Sequence, residues 1–176
     1  MLVGVDLCNT LANINYELLQ QFKKISLNQY PAPEVPGDFF TTPAGLKVFW
    51  KARPFYRARE VLFQMTELGY RIVYLTSRPK QAQFVTRRWL EVHRFPSGPV
   101  EFVSSCEKAT VARDAGMVAF FDDDPTVISS MLEKKIPHLF IKAAPYNALF
   151  SDHSGVLRFN DWGQLTRVLP IAKARM

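Results

Sequence analysis

Four short polar clusters carry the side chains best suited to chemistry: Asp6 with Cys8 and Thr10, then Thr76-Ser77-Arg78, then Lys108, then Asp122-Asp123-Asp124. Carboxylates can attack an electrophile or hold a hard divalent cation through oxygen. Hydroxyls, a lysine and an arginine can neutralise and hydrogen-bond an anion. Taken singly each cluster is a weak signal, because Asp or Thr after a strand is commonly a helix cap and a lone Lys at a helix start is usually solvated. Their weight comes from placement, since each follows an apolar or β-branched run that reads as a strand.

Those runs must position the clusters. Leu2–Val5 reads as a buried strand, far too short to span a membrane. Tyr70–Leu75, Val100–Val103, Met117–Phe121 and His138–Ile141 read as four more. Between them lie helical patterns at Phe55–Leu68, opened by Pro54 and closed by Gly69, at Lys80–Val92, at Glu107–Ala115 closed by Gly116, and from Pro125 to Lys135. A last helix is expected from Asp161 to Leu169, with loop before it. Strands alternating with helices predict an α/β fold, a doubly wound, Rossmann-like parallel sheet with helices on both faces. In such sheets ligands bind beyond the carboxyl ends of the strands, where the four clusters fall. Asp124, just before Pro125, reads as the cap of its helix.

One segment breaks the alternation. After a helical pattern at Ile14–Ile25, the chain carries Pro31, Pro33, Pro36 and Pro43 with Gly37 and Gly45, which rules out one long helix; a short helix is expected at Leu46–Lys51. We expect residues 13–51 to form a mostly helical, proline-rich cap hanging off the first strand, anchored by Phe39 and Phe40, with residues 1–12 and 52–176 forming the core domain. A cap in that position can cover a site and exclude water.

The order of the clusters resembles the four signatures of the haloacid-dehalogenase-like (HAD) hydrolases, over about Leu2 to Ile141. Within that superfamily, Leu75-Thr76-Ser77-Arg78-Pro79 followed by Thr86 and Trp89-Leu90, together with the cap position, is similar to the 5′(3′)-deoxyribonucleotidase-like group. The resemblance implies that Asp6 is the nucleophile of a phosphohydrolase, forming an aspartyl-phosphate. It implies catalytic roles for Thr76, as the phosphate-binding hydroxyl, and for Lys108. It implies substrate contacts from Thr10, Ser77 and Arg78. A Mg²⁺ cofactor would be held by Asp6, the backbone carbonyl of Cys8, Asp122 and Asp123. The substrate would be a small phosphate ester such as a nucleotide.

Cys8 stands where the family has a second aspartate, the residue that protonates the leaving oxygen and later activates water. A thiol keeps the backbone carbonyl but loses the carboxylate, and general acid–base help is worth about 10²–10⁴-fold. The expected activity is therefore slow hydrolysis, least impaired for good leaving groups. The alternative is a catalytically silent HAD fold that binds a phosphorylated ligand or a partner. A receiver-like regulator fits poorly, because receivers place their acidic pair early and lack such an insertion.

Composition agrees with a single globular domain of 176 residues, 48% hydrophobic. The formal net charge of +6 suits an anionic partner, whether phosphate ester or nucleic acid, but no basic run is long enough for a nucleic-acid tail. Lys47, Lys51, Arg53 and Arg57 read as a solvated basic face rather than a second phosphate site. Asp6 interrupts the N-terminal apolar run and no basic residues precede it, so it is not read as a signal peptide. Cys8 and Cys106 make no disulfide framework and are read as free thiols. Both features lead us to expect a cytoplasmic protein without membrane attachment.

Overall fold

The computed structural model describes residues 1–22, 24–30, 32–152 and 155–167. Six strands, β1 (Leu2–Val5), β2 (Arg71–Thr76), β3 (Val100–Phe102), β4 (Met117–Asp122), β5 (His138–Lys142) and β6 (Val156–Phe159), form one sheet in the order β3-β2-β1-β4-β5-β6. Every pairing is parallel. The helices are α1 (Ile14–Gln21), α2 (Pro43–Lys51), α3 (Ala58–Glu67), α4 (Gln83–Val92), α5 (Lys108–Asp114) and α6 (Pro125–Glu133). The α/β parallel fold expected from the alternation is thus the one observed, and no helix among the described residues is long and apolar enough to cross a membrane.

The two-residue period of the strands sorts the core into two layers. Val3, Val5, Ile72, Tyr74, Ala119, Phe121 and Phe140 face one side, with Ala58, Val61, Leu62 and Met65 of α3 and Trp89 of α4. Val73, Leu75, Phe120, Leu139 and Ile141 face the other, with Ala109 and Ala112 of α5 and Val127, Ile128 and Met131 of α6. Gly4 is required where it stands, because a Cβ there would lie 2.3 Å from the Phe120 ring. On the first side Phe121 stacks on Phe140 at 4.4 Å and on Trp162 at 5.2 Å. The Trp162 indole N–H then donates to the Thr10 carbonyl at 3.0 Å, so this aromatic stack supports the loop after β1.

The structure departs from the sequence reading in several places. A sixth strand, β6, lies in a stretch expected to be loop; it is four residues long and pairs only with β5. Helix α1 stops at Gln21, because Phe22 is already extended. Helix α3 starts at Ala58 rather than Phe55, since Arg57 before it takes a left-handed turn at φ +60°. The final helix is a 3₁₀ stretch over Trp162–Arg167, and residues 168 and 169 of the expected helix lie outside the described residues.

In the segment between α1 and α2 the described residues form bends, turns and a short 3₁₀ turn at Phe39–Thr41. Thr42 caps α2, accepting from Gly45 N–H at 3.2 Å, with Pro43 at the first helical position. Ile14 and Leu18 of α1, and Val48 and Phe49 of α2, belong to the same buried cluster as the α3 face of the sheet. Phe39 and Phe40 pack against that cluster, with Phe40 stacked on Phe49 at 5.2 Å.

Candidate active site

The carboxyl ends of β1, β2 and β4 lie side by side and open on a cavity of about 370 Å³. Asp6 and Cys8 enter it from the loop after β1, Ser77 and Arg78 from the loop after β2, Lys108 from the start of α5, and Asp122 with Asp123 from the end of β4. Four clusters spread over more than 110 residues of sequence therefore meet at one place. Asp124, as expected, caps α6 by accepting from Thr126 N–H at 2.7 Å.

The acidic wall is tied together internally. Lys108 Nζ donates to Asp6 Oδ1 at 2.6 Å and to Asp122 Oδ2 at 2.9 Å, all three side chains being buried. The other Asp122 oxygen accepts the backbone N–H groups of Asp123 and Asp124, both at 2.9 Å. Asp123 accepts the Thr10 hydroxyl at 2.9 Å on one oxygen and the Tyr146 hydroxyl on the other. Asn147 donates to the Asp123 carbonyl and to the Lys142 carbonyl, each at 2.8 Å, pinning the end of β4 to the end of β5.

Burial raises the carboxyls in this wall, because the charged form loses its hydration. Asp122 is pushed up to about 7, with Lys108 opposing the shift and Asp6 adding to it. Asp123 is driven well above the usual carboxylate range by burial, then by Asp122 and Asp6. Burial alone would lower the Lys108 ammonium, but Asp122 and Asp6 outweigh it and raise it. Oxygens of Asp6, Asp122 and Asp123 lie within 4.8 Å of one another. Three carboxylates so close, set against the ammonium of Lys108, are a donor set that fits a hard divalent cation such as Mg²⁺.

The wall formed by Cys8 and Arg78 is built differently. The Cys8 thiol is buried, and the Arg78 Nε–H donates to its Sγ at 3.2 Å. Burial pushes the thiol up, only partly offset by the Arg78 guanidinium, so at neutral pH it is protonated. Arg78 Nη1 donates to Thr86 Oγ1 at 3.2 Å, and the guanidinium lies over the Phe49 ring at 4.3 Å. Arg78 Nη2 is buried and has no hydrogen-bond partner among the described residues. Tyr30, Phe40 and Phe49 of the inserted segment line the cavity above this wall, and Tyr30 stacks on Tyr146 at 6.0 Å.

Of the residues singled out in the sequence, Asp6, Cys8, Ser77, Arg78, Lys108, Asp122 and Asp123 line the cavity. Thr10 and Thr76 are fully buried beside it. Thr10 supports Asp123, and the Thr76 oxygen accepts Arg78 N–H at 3.3 Å, which leaves its hydroxyl hydrogen to donate elsewhere. Both cysteines are free, Cys8 buried and Cys106 exposed. Sequence reasoning passed over Tyr146 and Asn147, and named Thr86 only as part of a motif, without its contact to Arg78. The first two follow β5 at the same edge of the sheet, which is the signal that marked the other clusters.

Residues 41–129, 89 of the 176, match the family model described as PITM 1-3, LNS2 domain; the match takes in Thr76–Arg78, Lys108 and Asp122–Asp123 and begins after Thr10. A curated relative from Bacillus cereus, named "Putative nucleotidase", is 29% identical over 119 residues, 66% of this chain and 60% of its own length. The chain thus spans well under two thirds of that relative. Among solved structures, a dehalogenase aligns over 94% of this chain and 95% of its own at TM-score 0.63 and 10% identity. A D,D-heptose 1,7-bisphosphate phosphatase from B. bronchiseptica, solved with magnesium and phosphate, aligns over 97% of this chain and 98% of its own at TM-score 0.59 and 8% identity. The six-stranded parallel architecture is that of HAD-like proteins.

Proposed function

From the premise that this chain belongs to the PITM 1-3, LNS2 domain family on a HAD-like fold, we propose that it is a phosphohydrolase acting on a small phosphate ester through Asp6. The observation that carries this reading is the buried Asp6–Lys108–Asp122 cluster lining a cavity large enough for a small ligand.

Asp6 attacks phosphorus, a P–O(Asp6) bond forms, and the bond to the leaving oxygen breaks with its electron pair on that oxygen. Lys108 holds Asp6 in place and faces the phosphoryl charge. Thr76, Ser77 and backbone N–H groups of their loop hydrogen-bond the phosphoryl oxygens. Water then attacks phosphorus and releases phosphate, its proton leaving to solvent and Asp6 returning as carboxylate. Asp6, Asp122, Asp123 and the Cys8 carbonyl are the groups that would hold Mg²⁺. When bound, the ion supplies positive charge against the phosphoryl oxygens. The segment 13–51 serves as a cap, its Tyr30, Phe40 and Phe49 forming an apolar roof over the leaving group. A flat aromatic leaving group suits that roof.

The test is hydrolysis of an aryl phosphate with and without Mg²⁺, combined with mass detection of a phosphorylated Asp6 after rapid acid quench. Mg²⁺-dependent turnover with phosphate on Asp6 is expected. No turnover of any ester in a broad screen would leave the fold as a binding protein for phosphorylated ligands.

A further inference from the structure

Arg78 is 4% exposed, and burying a guanidinium is costly unless its donors are matched. Its Nε and Nη1 are matched by Cys8 and Thr86, and its face by Phe49, but Nη2 is not matched by any described residue. The side chain lines the same cavity as Asp6 and Lys108 and meets the loop after β1 at Cys8, two residues from Asp6. An aspartate at position 8, with its carboxylate where the thiol lies, would be within reach of this guanidinium and would neutralise it. A thiol accepts one N–H from Arg78 and leaves the positive charge available.

We propose that Arg78 is a catalytic residue that receives the leaving oxygen, stabilising it as an anion rather than through protonation, so that the site selects phosphates whose leaving group departs as a stable anion, namely aryl and acyl phosphates. This rests on the reading of Asp6 as a phosphoryl acceptor and deepens it. In the first half-reaction the P–O(Asp6) bond forms while the P–O bond to the leaving group breaks. The electron pair stays on the departing phenolate or carboxylate oxygen, no proton is transferred to it, and the Arg78 N–H groups donate to that oxygen. A guanidinium cannot be the acid, since its pKa exceeds about 12, but it is a fixed donor that needs no reorganisation as charge develops. Alkyl phosphates, nucleoside monophosphates among them, depart as strongly basic alkoxides, and a donor that keeps its protons does not replace the proton they need.

The experiment measures kcat and KM with Mg²⁺ for a graded series of aryl phosphates, acetyl phosphate and an alkyl phosphate, in the wild type, Arg78→Met, Arg78→Lys and Cys8→Asp. In the wild type we expect acetyl and the more acidic aryl phosphates to exceed the alkyl phosphate by about 10²–10⁴-fold in kcat/KM. Arg78→Met should lower kcat by about 10²-fold and make its dependence on leaving-group acidity steeper, with Arg78→Lys between the two. Cys8→Asp should flatten that dependence by raising the alkyl phosphate while lowering acetyl phosphate, because the new carboxylate pairs with Arg78. A purely structural role for Arg78 would lower every substrate by the same factor and leave the slope unmoved, which overturns the proposal. So would a rise in KM alone, confined to substrates with a second anionic group, since Arg78 would then be a binding site for that group. Turnover with a flat or inverted leaving-group dependence in the wild type rejects this proposal alone; no turnover and no phosphorylated Asp6 with any substrate rejects the phosphohydrolase reading and this proposal together.

Discussion

The two walls of the cavity solve the problem of buried charge in opposite ways. On the acidic wall both oxygens of Asp122 and both of Asp123 accept hydrogen bonds from within the protein, and Lys108 bridges Asp6 to Asp122. On the other wall Arg78 is buried with one nitrogen unmatched. The first wall is organised before anything binds, and its geometry is set by the sheet. The second leaves one buried donor without a partner among the described residues. A site can thus be rigid where charge must be held and receptive where charge must be accepted.

That contrast can be broken most directly at Asp6. Asp6→Asn keeps the size of the side chain but removes the proposed nucleophile, so turnover should fall by about 10⁴-fold or more, measured with an aryl phosphate. Residual turnover near wild type would mean that the acidic wall is scaffold only. Next comes Lys108→Met, which removes the cation that both carboxylates share. Breaking a buried pair on one side costs about 3–5 kcal/mol, and urea denaturation at neutral pH should show a loss of that order. The loss should shrink in acid, where protonated carboxylates no longer need the ammonium. Asp123→Asn should weaken Mg²⁺ by about 10–100-fold in calorimetry, and unchanged affinity would place the ion elsewhere.

The titration of Asp122 gives a subtler test. Burial lifts its pKa from the usual 3.8 to about 7, so the folded chain holds a proton that the unfolded chain has already lost. The stability it contributes is complete below the ordinary value and is lost as pH rises through the folded one. Denaturation midpoints of the metal-free protein should therefore fall between pH 4 and pH 7, with Asp123 adding in the same direction, and added Mg²⁺ should lift the upper part of the curve. The smallest effect is expected on the other wall. Arg78→Met loses two hydrogen bonds and the Phe49 contact but also removes an incompletely matched buried charge. The stability of the free protein should change by about 1 kcal/mol or less. A loss as large as that of Lys108→Met would erase the distinction between the walls.

The sequence made one wall far more readable than the other. Asp6, Lys108, Asp122 and Asp123 each follow a strand of strong apolar pattern, and a parallel sheet brings such ends to one edge whatever the details of packing. The contact of Arg78 with Cys8 joins loops 70 residues apart and depends on side-chain direction, which no local pattern records. Tyr146 was passed over because the stretch after β5 is a kinked 3₁₀ turn, without the periodicity that marks a helix. Strand β6 was missed because it is only four residues long and pairs with β5 alone, although Val156 and Phe159 favour extended backbone.

The indole of Trp162, hydrogen-bonded to the carbonyl of Thr10, spans 152 positions of sequence, while Lys108 meets Asp6 across 102 and Thr10 meets Asp123 across 113. Contacts of such separation form late, because the entropy of closing long loops must be met before they are gained. During synthesis Asp6 has neither Lys108 nor the carboxylates of Asp122 and Asp123 beside it until those later residues have emerged. The loop that holds Asp6 gains its aromatic prop only after residue 162 has emerged. The proposed reactivity is therefore withheld until that point, and synthesis itself times when the cluster can first assemble.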